Sequence, residues 1–278
     1  EKDIIHNKSF FKYRVYFQGL SDKIPVGTFS VEGKVSTKDI IHTIFKKGPI
    51  RIRLTIPEGS SSSQIFLNAN YLLERSDNYN QLFTDPLFIS EFNIEASSLE
   101  GYLFPDTYYF FKDSSSREIL SIMINEFWNN FDKTFRDRTN ELGFTVHEVV
   151  TLASIIEGEA LLDHERETIS SVYHNRLKKR MKLQADPTIQ YLLPGAPKAL
   201  SIRDLKRVSP YNTYLNYGLP PGPINNPGFE SIRAALYPSE TNYLYFVAQG
   251  DGSHVFTTNQ KDHLEAKRLY KKYKRENR

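Results

Sequence analysis

The stretch from Thr145 to Ala160 constrains this chain more than any other. Thr145 and Glu148 make a T-x-x-E capping box, in which each side chain satisfies the other residue's backbone N–H, so a helix start is written into the sequence. The spacing predicts a helix over residues 146–159, with Val149, Val150, Ala153 and Glu157 on one face and Glu148 and Glu159 on the other. A helix of this kind has to be buried along its apolar stripe, and Glu157 goes into the core with it. A carboxyl facing apolar neighbours loses hydration, which favours its protonated form and suits it to proton donation. Two other readings stay open from geometry alone: Glu157 ends its helix in water, or it pairs with an arginine. Glu159 faces away and is expected to matter less.

Two parts flank a boundary placed near Ser97-Ser98-Leu99-Glu100-Gly101, giving an N-terminal region over residues 1–96 and a larger one over residues 97–278. In the first, residues 26–31 alternate like a strand, Ser36-Thr37-Lys38-Asp39 resembles a helix cap, and Ile40, Ile41, Ile44 and Phe45 have helical spacing. Gly48-Pro49 stops that run, and residues 50–56 alternate with one apolar face, so the segment reads β-α-β. The serine run from Ser60 to Ser63 is read as a turn and a helix start, with Ile65, Ala69, Leu72 and Leu73 on the helix. In the second part, helices are expected over residues 117–135, 146–159, 164–179 and from 260 on, with a strand at residues 243–248. Helices and strands mix without regular alternation, so the fold class is α+β: a small β-α-β subdomain followed by a larger mixed domain.

Composition removes several functions. With no cysteine there is neither a disulfide scaffold nor a thiolate site. A net charge of +3 is too balanced for a dedicated nucleic-acid binder, and residues 261–278 hold the excess as a basic, solvated helix end. No apolar run reaches the roughly 18–20 residues that span a bilayer. His147-Glu148 and His164-Glu165 begin like H-E-x-x-H, but Thr151 and Thr168 stand where the second histidine belongs, so no metal is expected. Ser9-Phe10-Phe11-Lys12 matches S-x-x-K without its companion motifs, and no G-x-S-x-G elbow or phosphate-binding loop occurs. Asp251-Gly252-Ser253-His254 reads as a tight turn that leaves His254 open to a site role.

What remains points to sugars. Residues 183–188 and 210–214 put amides, hydroxyls and phenols into turns, and residues 218–228 form a long Pro/Gly loop able to act as a rigid wall. Sugar hydroxyls take side-chain amides and carboxylates, and the C–H faces of the rings take aromatic planes.

Six stretches carry a resemblance, in order along the chain: Glu100-Gly101-Tyr102-Leu103-Phe104-Pro105-Asp106-Thr107-Tyr108, Leu152-Ala153-Ser154-Ile155-Ile156-Glu157-Gly158-Glu159, Leu183-Gln184-Ala185-Asp186-Pro187-Thr188, Tyr211-Asn212-Thr213-Tyr214, Gly218-Leu219-Pro220-Pro221-Gly222 and Tyr243-Leu244-Tyr245-Phe246-Val247-Ala248. The chain resembles the endolytic murein transglycosylases, the YceG-like family, well over residues 95–270 and more loosely over 26–95, where the family carries a LysM-like subdomain. The resemblance implies an enzyme that cuts MurNAc-β-1,4-GlcNAc bonds within nascent glycan strands and leaves 1,6-anhydro-MurNAc ends, with Glu157 as general acid and base and no cofactor. Within it, Gln184, Asp186, Tyr211, Asn212 and Tyr214 are the sugar-holding candidates, with Glu100 and Asp106 behind them, and His254 is added from its turn. Peptidoglycan strands are then the partner, cell-wall synthases are admitted as others, and an upstream helix is expected to anchor the protein on the outer face of the bacterial cytoplasmic membrane. Two alternatives stand beside this: a muramidase pairing Glu157 with Asp186 or Glu100, and a non-catalytic peptidoglycan-binding or scaffold protein.

Overall fold

The computed structural model describes residues 5, 7–33, 35–195 and 199–276. It is mostly helical with two small two-stranded sheets, broadly α+β. Among the described residues no helix is long and apolar enough to cross a membrane. Contacts divide the chain into two compact units: one of Glu1–Thr55, Leu67–Asp77 and Thr107–Ile119, the other of Ile56–Phe66, Asn78–Asp106 and Leu120–Arg278.

The first unit holds α1 (Lys8–Phe17), α2 (Thr37–His42), β1 (Arg51–Thr55) and β2 (Thr107–Phe111). The expected cap of α2 is present: Asp39 N–H donates to Ser36 Oγ at 3.3 Å and Ser36 N–H to Asp39 Oδ2 at 2.9 Å. The expected β-α-β unit is not. Residues 26–31 form no strand, and Ile50 N–H to Thr28 O, at 2.8 Å, is their one backbone bond to the region of β1. Gly27 adopts φ +146°, outside strand geometry, and a Cβ there would lie 2.6 Å from Pro49. The alternation of β1 is instead met by β2, antiparallel, with Leu54 opposite Tyr108 and Ile52 opposite Phe110. Leu54, Tyr108 and Phe110 are buried, and Thr55 and Thr107 join hydroxyls at 3.0 Å across the pair.

The second unit contains the first turn of α3 (Ser62–Leu73), then α4 (Tyr79–Phe83), α5 (Pro86–Ser90), most of α6 (Ser116–Asn130), α7 (Lys133–Leu142), α8 (Val146–Glu159), α9 (Arg166–Lys178), α10 (Asp186–Gln190), α11 (Phe229–Leu236), the antiparallel hairpin β3 (Tyr245–Ala248) and β4 (His254–Thr257), and α12 (Gln260–Glu276). The single helix expected over residues 117–135 is two, because Asp132 leaves helical geometry and accepts Phe135 N–H at 3.0 Å to cap α7. The serine run does start α3: Ser61 N–H donates to Gln64 Oε1 at 2.8 Å.

α8 is the axis of this unit. Its capping box is made, with Thr145 N–H on Glu148 Oε2 at 2.8 Å and Glu148 N–H on Thr145 Oγ1 at 3.1 Å. Every residue from Val149 to Ile156 is buried, because α7, α9, α10 and α11 pack around the helix. A two-faced reading of α8 therefore fails, since both of its faces are inside.

Candidate active site

The C-terminal turn of α8 brings Gly158 and Glu159 into the wall of a cavity of about 810 Å³ in the second unit. The walls come from the turn before α3, from Glu100, from α10 and the residues after it, and from Ile224 and Asn225 of the Pro/Gly loop. Gly158 is bare because α10 sits directly on it: a Cβ would lie 2.7 Å from Pro187.

Asn226 ties these walls together. It is fully buried; its Oδ1 accepts Gly101 N–H at 3.0 Å and Leu103 N–H at 2.9 Å, and its Nδ2 donates to Ser60 O at 2.9 Å and Glu100 Oε1 at 3.1 Å. Glu100 Oε1 also accepts Ser62 N–H at 3.0 Å and Ser62 Oγ–H at 2.9 Å. Burial pushes the Glu100 carboxyl above its ordinary range despite these donors.

Two further carboxyls stand at the end of α8. The Glu157 side chain is only 7% exposed; Oε2 accepts Gly228 N–H at 3.1 Å and lies 3.3 Å from Arg166 Nη1. Arg166 is held in turn by Asp163 at 3.1 Å and Ser231 at 2.5 Å. Burial works against its charge, but Glu157 and Asp163 outweigh that and raise its proton affinity. Glu159 accepts the Tyr173 hydroxyl at 2.9 Å, and burial, opposed by that bond and seconded by the charge of Asp186, pushes its carboxyl up to about 7. Asp186 accepts the Tyr214 hydroxyl.

This arrangement, with the carboxyls of Glu100, Glu157, Glu159 and Asp186 and the hydroxyls of Tyr173 and Tyr214 near one helix end, belongs to a chain that matches the YceG-like family over residues 1–269. The chain is a member of that family. It is 36% identical over 287 residues to an endolytic murein transglycosylase of Bacillus subtilis (strain 168), covering 97% of this chain and 79% of that protein. It is 27% identical over 299 residues to a protein of the same name in Streptococcus pneumoniae (D39), covering 94% of this chain and 53% of that one. A solved structure of a yceG-like protein of Listeria monocytogenes superposes with a TM-score of 0.71 at 32% identity, over 95% of this chain and 91% of that one.

This YceG-like chain brings together some of the residues expected from sequence and leaves others aside. Glu100 and Asp186 line the cavity, Tyr214 bonds Asp186, and Tyr211 lies ring to ring with the cavity residue Tyr191 at 5.0 Å. Glu157 itself does not line the cavity, but Gly59 and Gly158 beside it do. Its surroundings differ from the apolar ones expected: an arginine and a backbone N–H face it. Glu159, expected to point away, lines the cavity, because no side of α8 is free.

Asn212 turns inward to its own loop, donating to Leu205 O and Arg207 O and accepting Tyr214 N–H, so its amide is used up in structure. Gln184 is exposed in a left-handed turn at φ 48° and is not part of the cavity wall. Asp106 is exposed beside β2, and His254 is bound in β4 to Glu165 at 2.7 Å; neither lines the cavity. Among the described residues no cluster of His, Asp or Glu has metal-site geometry. Sequence reading missed Glu58, Asn226, Arg166, Asn225 and Tyr191. For Glu58 the available signal was a carboxylate in the turn Pro57-Glu58-Gly59 directly after a strand, which reads as punctuation until the fold is known.

Proposed function

We propose that this protein is an endolytic lytic transglycosylase acting on the MurNAc-β-1,4-GlcNAc bonds of peptidoglycan strands, outside the bacterial cytoplasmic membrane, with Glu157 as its acid and base. The observation that carries the reading is the position of Glu157: a carboxyl 7% exposed, directly after the buried residues 149–156 of α8, with Gly59 and Gly158 beside it in the cavity wall. The names of the two relatives support the substrate class.

Protonated Glu157 donates to the glycosidic oxygen as the C1–O bond breaks. The MurNAc C6 hydroxyl then attacks C1 and returns its proton to the Glu157 carboxylate, so the acid is regenerated and no water is consumed. One carboxyl suffices because the nucleophile is tethered to the reacting sugar and gains from proximity. Gly228 N–H and Arg166 lie on the Glu157 carboxyl and stabilise the carboxylate that forms when Glu157 gives up its proton. Asp186, Tyr214, Tyr211, Tyr191 and Glu100 present hydroxyl and carboxylate groups for the sugars. Asn225 adds an acceptor, since Nδ2 is engaged by Ser154 O at 2.9 Å while Oδ1 is buried without a partner among the described residues.

Mass spectrometry of fragments from purified glycan strands tests this, with the parent beside Glu157→Gln. The expected product of the parent carries an anhydro end, lighter by one water than the reducing end a muramidase leaves. Glu157→Gln should fold and release nothing. Full activity in that variant removes Glu157 from the role, and a reducing end replaces the transglycosylase by a two-carboxylate hydrolase.

A further inference from the structure

Arg166 meets three acids with three different nitrogens. Nε bonds Asp163 at 3.1 Å, Nη1 lies 3.3 Å from Glu157, and Nη2 points at Glu58 Oε2 from 4.0 Å, beyond hydrogen-bond reach. Two of these contacts are closed and one is open. The acids also differ in freedom: the Glu58 side chain is 49% exposed, whereas Glu157 and Arg166 are 7% and 9%.

Gly228 couples the two glutamates a second time. Its N–H bonds Glu157, and the Glu58 carboxyl lies against its bare Cα, so close that a Cβ would fall 1.9 Å from Glu58 Oε1. Any other residue at 228 expels Glu58. The absence of a side chain there brings a second carboxyl beside the first.

A proton donor with a guanidinium at 3.3 Å has a difficulty, because the neighbouring cation favours the ionised form while donation needs the neutral one. A second anion on the same cation removes it. The geometry points to Glu58 as a positioning residue for Glu157: it is the alternative partner of Arg166, taking up the guanidinium while Glu157 holds its proton and yielding it back as that proton leaves. This rests on the reading of Glu157 as the acid. The proton count is unchanged, since only the ion pair moves.

The groups facing Glu58 are Glu157 on α8, Asp163 in the turn before α9, Arg166 at the start of α9, and Glu230 on α11. Burial first and the charge of Glu157 second raise the proton affinity of Glu58, with Arg166 opposing.

The test is the pH dependence of kcat and KM on purified glycan strands, using the full chain as parent, Glu58→Gln, Glu58→Asp and Gly228→Ala. In Glu58→Gln, Arg166 keeps Asp163 on Nε and has Glu157 as the one remaining acid of the pair that competes for it. The expected result is a kcat about tenfold lower near neutral pH, KM unchanged, and the alkaline limb of kcat moved toward acid by about one pH unit. Glu58→Asp keeps the charge and should restore most of the limb. Gly228→Ala keeps the N–H but displaces Glu58, so it should move the limb as Glu58→Gln does, and it serves if the latter fails to fold. A parental limb in the folded variants, or a change confined to KM, overturns the inference. If Glu157→Gln is inactive and the limb stays put, Glu58 falls and Glu157 stands; if Glu157→Gln is active, both fall.

Discussion

Replacing Asn226 by alanine isolates the one side chain on which the cavity walls depend. Its four hydrogen bonds do not carry equal weight. Ser60 O keeps a bond from the backbone N–H of residue 226 at 3.0 Å, and Glu100 Oε1 keeps both bonds from Ser62, so the two groups served by Nδ2 remain satisfied. Gly101 N–H and Leu103 N–H have Asn226 Oδ1 as acceptor, and both residues are buried. Each stranded N–H costs on the order of 2 kcal/mol, so Asn226→Ala should destabilise by about 4 kcal/mol. Urea unfolding followed by the emission of Trp128 measures this directly, because the chain has a single tryptophan and it lies in the second unit. Asn226→Asp supplies the internal check: it keeps an acceptor for both N–H groups but sets a second carboxyl beside Glu100, so its loss should shrink as the pH is lowered and the new acid is neutralised. A loss below about 1 kcal/mol for Asn226→Ala would refute the claim that these two backbone groups depend on it.

Two further perturbations use the same unfolding assay. Because burial pushes Glu159 from 4.5 up to about 7, the folded state keeps a proton the unfolded chain has lost, so stability falls as pH rises from about 4.5 to about 7 by roughly 3 kcal/mol; Glu159→Gln should flatten that part of the profile, and an identical slope in the variant contradicts the assignment. Gly101 sits at φ +88°, where a Cβ would lie 2.5 Å from Pro223 and 2.8 Å from Val150, so Gly101→Ala should cost about 3 kcal/mol from backbone strain and overpacking together, and a parental urea midpoint would show that the contact relaxes freely.

What could be read from sequence followed the range of the interactions. α8 was legible to the residue, because its cap is made by Thr145 and Glu148 three positions apart and its apolar period is local. The same holds for α2 and Ser36, and for the start of α3. The partner of β1 was not legible: alternation says that a strand needs a partner, the alternation of residues 26–31 offered one nearby, and Thr107–Phe111, a run of aromatics without alternation, is the one used. Gly27 decides the matter through a backbone conformation that sequence periodicity does not encode. The orientation of Glu159 failed for a related reason. A helical wheel assigns an outside only when one exists, and Tyr173 of α9 and Asp186 of α10 cover the side on which water was assumed.

The Pro/Gly loop shows most clearly why the site itself was only half visible. Sequence marks it as rigid, yet residues 222–228 are buried, which an irregular segment tolerates only if its backbone groups find partners. Pro223 and Pro227 bring no N–H to satisfy. Ile224 N–H goes to Ser154 Oγ at 3.1 Å, Asn226 N–H to Ser60 O, and Gly228 N–H to Glu157. Each acceptor lies between 70 and 166 positions away in the chain. The loop is thus held by the same groups it holds, and one of its donors ends on the carboxyl assigned the chemistry. A change that loosens the loop should therefore lower kcat in the folded protein, because Gly228 N–H is both a tether of the loop and a ligand of Glu157. Pro227→Ala tests this: it frees the backbone beside Gly228 without replacing any cavity side chain. The N–H that alanine adds is buried and costs about 2 kcal/mol of stability by itself, so the expected outcome is a lower urea midpoint together with a fall in kcat measured where the variant is fully folded. A fall in stability with kcat intact would mean that the loop only supports the fold.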